Sequence, residues 1–245
     1  MKEIDTLKKE NKKLKKINQN NSNLISTVVH EVRTSLSALK WSFESLQDEK
    51  ENTPEQNKIL FKKAQKKTGE LISLINDLLA INHTEEATSQ YNFKKISIID
   101  LIEETIIEFK EEAKGKKINL VLNKERKLFS LVKADSCMLH IAFQNLIENS
   151  IKYSSKGEKV FINITQNKNF ILISITDWGI GINKEDKNKI FKKFFRAENA
   201  KIKEMNGSGL GLFTVKQIIL KHKGQIGFEE NKPTGTKFFI KLPIC

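Results

Sequence analysis

The chain has few of the residues that cross-link a fold or anchor it in a membrane. It has only two cysteines, Cys137 and Cys245, which excludes a disulfide framework and fits a reducing compartment. Their positions lack the Cys/His spacing of a zinc site. No run of 18 or more apolar residues occurs, so no membrane-spanning helix is expected within this sequence. The lysine-rich N-terminus also lacks the apolar segment of a signal peptide.

Acidic residues are outnumbered by basic ones, and the net charge is +13. A charge of this size suggests nucleic acid as a partner. The lysines are scattered, however, and aromatic side chains do not alternate with them as a base-stacking surface requires. We therefore expect no nucleic-acid partner, and salt-dependent binding is the observation that would reveal one. The apolar content of 38% is enough for one large or two modest domains.

Two long helices are predicted in the first third of the chain. Apolar residues recur at helical spacing and form one stripe, consisting of Leu24, Val28, Val32, Leu36, Leu39, Phe43 and Leu46. A second helix should begin at Pro54, with Thr53 as N-cap and Gln56 completing a capping box. Its stripe consists of Leu60, Ala64, Lys67, Leu71, Leu74, Leu78 and Ile81. Because one hairpin leaves much of these stripes in water, we expect two hairpins to pair into a dimeric four-helix bundle.

His30 lies off the apolar stripe of the first helix, next to Glu31. A histidine that faces water can present a ring nitrogen to a bulky donor, and histidines titrate close enough to neutrality to supply a neutral nucleophile. Glu31 is positioned to accept the other ring proton. For an isolated His-Glu pair, an ordinary surface histidine on an amphipathic helix is much the more common explanation.

The remaining chain alternates short strands and helices, which predicts an α+β sandwich. We expect a strand at 91–98, a helix at 100–114 with Gly115 as C-cap, and two strands between 118 and 132. A helix capped by Asp135 should extend to 151 and precede a hairpin at 160–176 that turns at 166–169. A helix at 212–221 and strands at 225–230 and 236–242 complete the prediction.

Three groups of polar and glycine residues in this second half suit a nucleotide. Asn145, Asn149 and Lys152 share one helix face, where an amide oxygen of Asn149 would suit Mg²⁺ and the lysine a phosphate. Asp177 follows a strand and can accept a hydrogen bond from an adenine amino group. Arg196 is a cation that could reach a γ-phosphate. The other candidates are glycines that allow close approach of the backbone to a nucleotide, and they are Gly179, Gly181, Gly207, Gly209 and Gly211.

Taken in order, these segments resemble the motifs of sensor histidine kinases of two-component systems. The string from His30 to Leu36 resembles the phosphoacceptor box His-Glu-x-Arg-Thr-Pro-Leu, except that Ser35 stands where most members carry proline. The later segments resemble the N, first glycine, F and second glycine boxes of the ATP-binding domain. The resemblance implies a lid over ATP at 182–206, and it adds Tyr153 and Leu210 to the ATP-binding residues.

The resemblance also implies an organisation and a function. It implies a coiled-coil lead-in at 1–23, a dimerisation and histidine phosphotransfer domain at 24–86, a linker at 87–90 and a catalytic ATP-binding domain at 91–245 of the gyrase, heat-shock ATPase and histidine kinase type. It implies a homodimer that uses ATP and Mg²⁺ to phosphorylate His30 and passes the phosphoryl group to an aspartate of a response regulator. The expected location is cytoplasmic, with a membrane contact only through an upstream segment absent from this sequence.

Thr34, one helical turn after His30, completes a His-Glu-x-x-Thr pattern that the resemblance associates with phosphatase activity towards the regulator. Two alternatives stay open: a phosphatase-biased or scaffold member of the same family, and a stand-alone ATPase or serine kinase of the same nucleotide fold. Asn145 opposes the second alternative, because related ATPases carry there a glutamate that activates water, and an amide is not a general base.

Overall fold

The structure, a computed structural model, describes residues 2–47, 53–85, 91–125, 131–205 and 207–244. It divides into two compact units, Met1–Leu74 and Ile75–Cys245. The second unit therefore begins within the second long helix. The predicted linker at 87–90 lies outside the described residues, and the predicted domain boundaries stay predictions.

The first unit is built from the long helix α1 (Lys2–Gln47) and the N-terminal part of the long helix α2 (Pro54–Glu85). The predicted capping box at the start of α2 is confirmed. The backbone N–H of Thr53 donates to Gln56 Oε1 at 2.7 Å, and the N–H of Gln56 donates to Thr53 Oγ1 at 3.3 Å. These two bonds satisfy backbone donors that the first turn of a helix cannot pair internally.

The apolar stripe of α1 is divided between the hairpin interior and the solvent. Ser35 and Ser42 are buried, whereas Leu36 and Phe43 are 51% and 55% exposed. The hydroxyl of Ser42 donates to the Ala38 carbonyl at 2.9 Å, so its burial leaves no unpaired donor. The prediction of one stripe was thus too simple, because the apolar surface of α1 is wider than a single partner helix covers.

The stripe of α2 agrees better with its prediction, since Leu60, Ala64, Leu74 and Ile81 are buried. Within the predicted coiled-coil lead-in at 1–23, Asn11 is exposed and helical. The side chains of Ile4, Leu7 and Leu14 lie outside the described residues, as does that of Leu24 in the α1 stripe.

The second unit contains a five-stranded sheet and a separate strand pair. The sheet has the order β2-β4-β5-β7-β6, with β2 parallel to β4 and every other neighbouring pair antiparallel. The strands are β2 (Asn119–Lys124), β4 (Lys159–Gln166), β5 (Phe170–Thr176), β6 (Gln225–Glu230) and β7 (Thr236–Pro243). The pair consists of β1 (Lys94–Ile96) and β3 (Val132–Ala134), which are antiparallel.

Helices α3 (Ile98–Gly115), α4 (Ser136–Tyr153) and α6 (Gly211–Lys221) contribute to the core, and the short α5 (Glu198–Lys203) follows a 3₁₀ turn at Lys184–Asp186. Alternate residues of β4, β5 and β7 point into this core, among them Ile162, Ile173 and Ile240. Each such side chain contributes about 1.5–3 kcal/mol when fully buried. The predicted α+β class, hairpin and Asp135 cap are confirmed, because the Asp135 side chain accepts from the Met138 N–H.

Two predictions around α3 were wrong in detail. The strand predicted at 91–98 is only three residues long, because Ser97 caps α3 and accepts from the Asp100 N–H at 3.3 Å. Gly115 belongs to the helix, and Lys116 is the C-cap. The positive φ that often follows a helix falls on Lys117, at 58°, rather than on the glycine.

Within the described residues, no helix has the length and apolar character needed to cross a membrane.

His222 is a buried histidine that fastens α6 to the start of α4. Its Nε2 accepts a hydrogen bond from the Asp135 backbone N–H at 3.0 Å, and its Nδ1–H donates to the Ile218 carbonyl at 2.8 Å. The rings of Tyr91 and Phe93 meet it edge-on. Burial lowers the pKa of His222 below its usual 6.5, because the neutral ring is the form that fits.

We predict that the stability contributed by His222 is lost in acid. A folded-state pKa below the unfolded value means that this contribution is complete above pH 6.5 and declines as pH falls below it, by at most about 1.4 kcal/mol per pH unit. Urea unfolding followed by Trp178 fluorescence, in a Trp41→Phe background, should therefore show His222→Gln less stable at pH 7.5 and closer to its parent at pH 5.5. A stability difference that does not change with pH would contradict this role.

Candidate functional site

The candidate phosphoacceptor lies on an exposed face of α1. His30 is exposed and Glu31 beside it is half-buried. The exposed Thr34 donates its hydroxyl to the His30 carbonyl at 2.8 Å, as helical threonines one turn apart commonly do. That bond uses the hydroxyl proton and leaves the oxygen lone pairs as acceptors. The arrangement presents an imidazole to solvent with a carboxylate next to it and a hydroxyl one turn away.

The second group of candidates is carried by α4. Asn145, Asn149, Lys152 and Tyr153 are all half-buried in the second unit. The helix is held in place because a neighbouring face supplies Leu139, Ala142, Phe143 and Leu146 to the core. The amide of Asn145 donates to the Ile141 carbonyl at 3.0 Å and to the Asp77 carboxylate at 3.1 Å.

Asp177 lies at the end of β5 and is buried. Its Oδ1 accepts two backbone hydrogen bonds, from Gly179 at 3.0 Å and from Thr236 at 3.1 Å. Burial raises the pKa of Asp177 to about 6, and the two N–H donors oppose that shift. Because both bonds end on Oδ1, the second oxygen keeps acceptor capacity for a donor such as an exocyclic amine.

Three of the candidate glycines stand where a side chain would collide with neighbouring groups. A Cβ at Gly179 would lie 2.5 Å from the Tyr153 carbonyl oxygen, and one at Gly209 would lie 2.7 Å from the backbone of Phe194. A Cβ at Gly211 would strike Asn145 Oδ1. Gly181 and Gly209 also have positive φ values of 66° and 68°, which favour glycine. These contacts join the glycine segments to α4 and to the loop that precedes α5.

Arg196 and Lys152 meet at the second glycine segment. A Cβ at Gly207 would lie 3.5 Å from both Lys152 Nζ and Arg196 Cζ, so two cations approach the same backbone. Arg196 donates to the Met205 carbonyl at 2.8 Å and to the Glu204 carbonyl. Its proposed contact with a γ-phosphate stays a prediction. Leu210 is fully buried and its N–H donates to Ser208 Oγ at 3.1 Å, so any contact it makes with a nucleotide is not through its side chain.

The sequence-predicted residues therefore fall into two sets. His30, Glu31 and Thr34 lie in the first unit. The structure brings together Asn145 with Gly211, Tyr153 with Gly179, and Lys152 with Arg196 and Gly207, all in the second unit. The lid predicted at 182–206 contains the 3₁₀ turn and α5, and Asn206 lies outside the described residues.

Sequence reasoning missed two features of the second unit. The first is Asp77, which is 3% exposed and contacts Asn145. The sequence offered one indication of its burial, because this carboxylate stands three residues after Leu74 on the apolar side of the helix. The loop that supports Asp177 was also missed. Asn231 donates its amide to the Asp177 carbonyl at 2.8 Å, and Gly235 packs directly against the same backbone.

The residues present fit ATP with a magnesium ion. Lys152 and Arg196 both lie beside the backbone of Gly207, and the buried carboxylate of Asp177 has acceptor capacity left. Among the described residues, no cluster of three or more His, Cys, Asp or Glu could hold a metal by itself. Mg²⁺ bound with nucleotides takes most of its ligands from phosphate and water, so one amide oxygen from the protein suits it.

Comparison with known proteins gives two family matches, one after the other along the chain. Residues 20–87 match the His Kinase A (phospho-acceptor) domain, and residues 134–245 match the Histidine kinase-, DNA gyrase B-, and HSP90-like ATPase family.

Individual relatives agree with these matches. Drug sensory protein A of Synechocystis sp. is 32% identical over 93% of this chain, and sensor histidine kinase WalK of Bacillus subtilis is 29% identical over 93%. The chain spans 36% and 37% of the length of these two proteins. The solved structure of Acinetobacter baumannii histidine kinase AdeS is similar with a TM-score of 0.65 and 26% identity, over 88% of this chain and 98% of that one. With the phosphoacceptor and ATPase domains in this order and such relatives along nearly the whole chain, this protein belongs to the sensor histidine kinases of two-component systems.

Proposed function

We propose that this chain is an ATP-dependent histidine autokinase in which His30 receives the γ-phosphoryl group. The observation that carries the proposal is the exposure of His30, beside Glu31, on helix α1. The same chain also contains the candidate nucleotide site formed by Asp177 and the glycine segments. In the transfer, a ring nitrogen of His30 forms a bond to the γ-phosphorus as the bond to the bridging oxygen of ADP breaks. Glu31 accepts the hydrogen bond of the other ring nitrogen and offsets the positive charge of the ring.

The second unit is proposed to bind the substrate ATP. Asp177 accepts a hydrogen bond from the adenine amino group, the glycine segments lie along the phosphates, and Lys152 and Arg196 neutralise phosphate charge. Asn145, Tyr153 and Leu210 complete the set of proposed contacts. Mg²⁺, held by the Asn149 amide oxygen, would supply charge neutralisation at the phosphates.

Asn145 favours a kinase over an ATPase. Both N–H groups of its side chain face protein acceptors, and an amide cannot deprotonate water at neutral pH. Hydrolysis of the bound nucleotide therefore lacks a base at this position, and the γ-phosphoryl group is conserved for His30.

We also propose a homodimer built on the first unit. Its two helices leave eight large apolar side chains 49–60% exposed: Ile25, Val29, Leu36, Trp41, Phe43, Ile59, Phe61 and Ile72. Exposed apolar surface of this extent is unusual for a monomer, and a second hairpin presents the complementary apolar faces of a four-helix bundle.

The proposed partner is the receiver domain of a response regulator. A phosphohistidine on an exposed helix face is accessible to an incoming aspartate, whose carboxylate oxygen replaces the ring nitrogen on phosphorus. Thr34, with its oxygen lone pairs available one turn from His30, is proposed to orient a water molecule in the reverse, dephosphorylating activity.

His30→Ala should abolish acid-labile, alkali-stable labelling from γ-labelled ATP, and it should leave the fold intact because the side chain is exposed. His140→Gln is the matched control: this ring contacts Thr105 and Glu108 in the second unit and should label normally. Acid-labile labelling that survives in His30→Ala would remove His30 from the mechanism.

Asn149→Ala and Asp177→Ala should each lower Mg-ATP affinity by about a hundredfold or more, which corresponds to about 2.7 kcal/mol. Both residues lie in the second unit, so light scattering should show an unchanged dimer. Because Asp177 also supports β7, Asp177→Asn provides a second variant that preserves the size of the side chain. Unchanged affinity in calorimetry for both positions would mean that the site is elsewhere.

Thr34→Ala should retain most autophosphorylation but slow dephosphorylation of the cognate regulator about tenfold or more, since losing about 1.4 kcal/mol of water positioning has that effect. The measurement is decay of phospho-regulator with wild type and variant side by side, and Ser37→Ala, exposed on the same helix, is the control. Equal decay rates with an active wild type would exclude Thr34 from the reaction.

A further inference from the structure

The C-terminal part of α2 belongs to the second unit and buries a carboxylate there. Asp77 is 3% exposed, and its Oδ1 accepts the hydrogen bond from Asn145 Nδ2 at 3.1 Å. Ala80, one turn later, is completely buried in the same core. Burying a carboxylate is costly in free energy, so a position that packs among apolar residues would be more stable with leucine than with aspartate. The carboxylate therefore suggests a role other than stability.

Asp77 decides which end of the Asn145 amide faces the nucleotide site. A primary amide has two N–H donors, and here they meet two acceptors on the same side, the Asp77 carboxylate and the Ile141 carbonyl. The amide oxygen is turned the other way, to Gly211 at the start of α6, where a Cβ would strike it. An oxygen is thus presented at the end of the second glycine segment, and its orientation is fixed by a residue of α2.

We propose that Asp77 positions the Asn145 amide for nucleotide binding and thereby couples the end of helix α2 to occupancy of the nucleotide site. This inference rests on the proposed function, since it assigns a regulatory contact to the same ATP site. An amide already held in place loses less conformational entropy on binding, which increases affinity. Coupling is reciprocal, so bound nucleotide also strengthens the attachment of α2 to α4 and α6.

The protonation of Asp77 provides a measurable quantity, proton uptake on nucleotide binding, that a purely structural residue would not change. Burial raises the pKa of Asp77 to about 7; Asn145 and Thr214 oppose this shift, and Glu148 of α4 adds to it. The anionic phosphates of a nucleotide at Asn145 would favour the protonated acid further. Binding should therefore take up protons near pH 7, and the share of affinity that depends on Asp77 should fall as pH rises.

Calorimetry with Mg-ATP, in two buffers of different ionisation enthalpy at pH 7, tests this coupling. Asp77→Leu removes the acceptor and should weaken Mg-ATP binding about tenfold. Asp77→Asn keeps an acceptor oxygen and the shape of the side chain, so its affinity should stay within about threefold of wild type. Its proton uptake should nevertheless be smaller than that of wild type. Glu70→Gln, a carboxylate on the same helix that pairs with Lys67 in the first unit, should match wild type in both quantities.

Hydrogen exchange of residues 75–85 provides the reciprocal measurement. Mg-ATP should slow exchange there in wild type and in Glu70→Gln but not in Asp77→Leu. If Asp77→Leu does not fold, the proton uptake of Asp77→Asn decides the question. Affinity, proton uptake and exchange that are identical in wild type and the Asp77 variants would overturn this inference alone. A wild type that binds no Mg-ATP would overturn the proposed function and this inference with it.

Discussion

Asp177 joins the end of β5 to residues that lie 54 and 59 positions later in the sequence. Its Oδ1 accepts from Gly179 and Thr236, while its backbone N–H donates to the Thr236 carbonyl at 2.9 Å and its carbonyl accepts from Asn231. The end of β5, the first glycine segment and the start of β7 therefore converge on one side chain. Because hydrogen bonds to the ionised form oppose the effect of burial on its pKa, the same bonds that order the loops keep an anion available inside the site.

The convergence of these loops on Asp177 brings backbone segments close together, and glycines stand at the points of contact. Gly179 lies against the Tyr153 carbonyl and Gly235 against the backbone of Asp177, so the loops approach at distances that exclude a Cβ. Gly211 and Asn145 meet in the same way at another position along α4. The site is thus made largely of backbone, and side chains contribute mainly charge and orientation.

Local signals in the sequence predicted local structure well. The capping box at Thr53, the Asp135 cap and the turn at 166–169 depend on residues within a few positions of one another, and each was confirmed. Alternation of apolar and polar residues likewise predicted the β-hairpin at 160–176 and the two closing strands. At Gly115 the same reasoning failed, because the tertiary structure placed the positive φ on Lys117 instead.

Long-range contacts could not be predicted in the same way. Asp77 and Asn145 are joined across 68 positions, and His222 and Asp135 across 87. Periodicity assigns such residues to a helix face but does not identify what that face contacts. The motif resemblance supplied Asn145, Asp177 and the glycines as a set, yet the supports of that set, Asp77, Asn231 and Thr236, lie outside the motifs. The roles of the predicted site residues themselves stay predictions.

The bonds from Arg196 to the carbonyls of Glu204 and Met205 close the segment around α5 into a small ring of backbone. A closed ring has less conformational entropy than an open segment of equal length, so these two bonds restrict the conformations of the segment from Arg196 to Met205. Each N–H of the guanidinium that holds a carbonyl is unavailable to a phosphate oxygen. The proposed recognition of phosphate by Arg196 would therefore compete, for the donors of one side chain, with the bonds that close this segment.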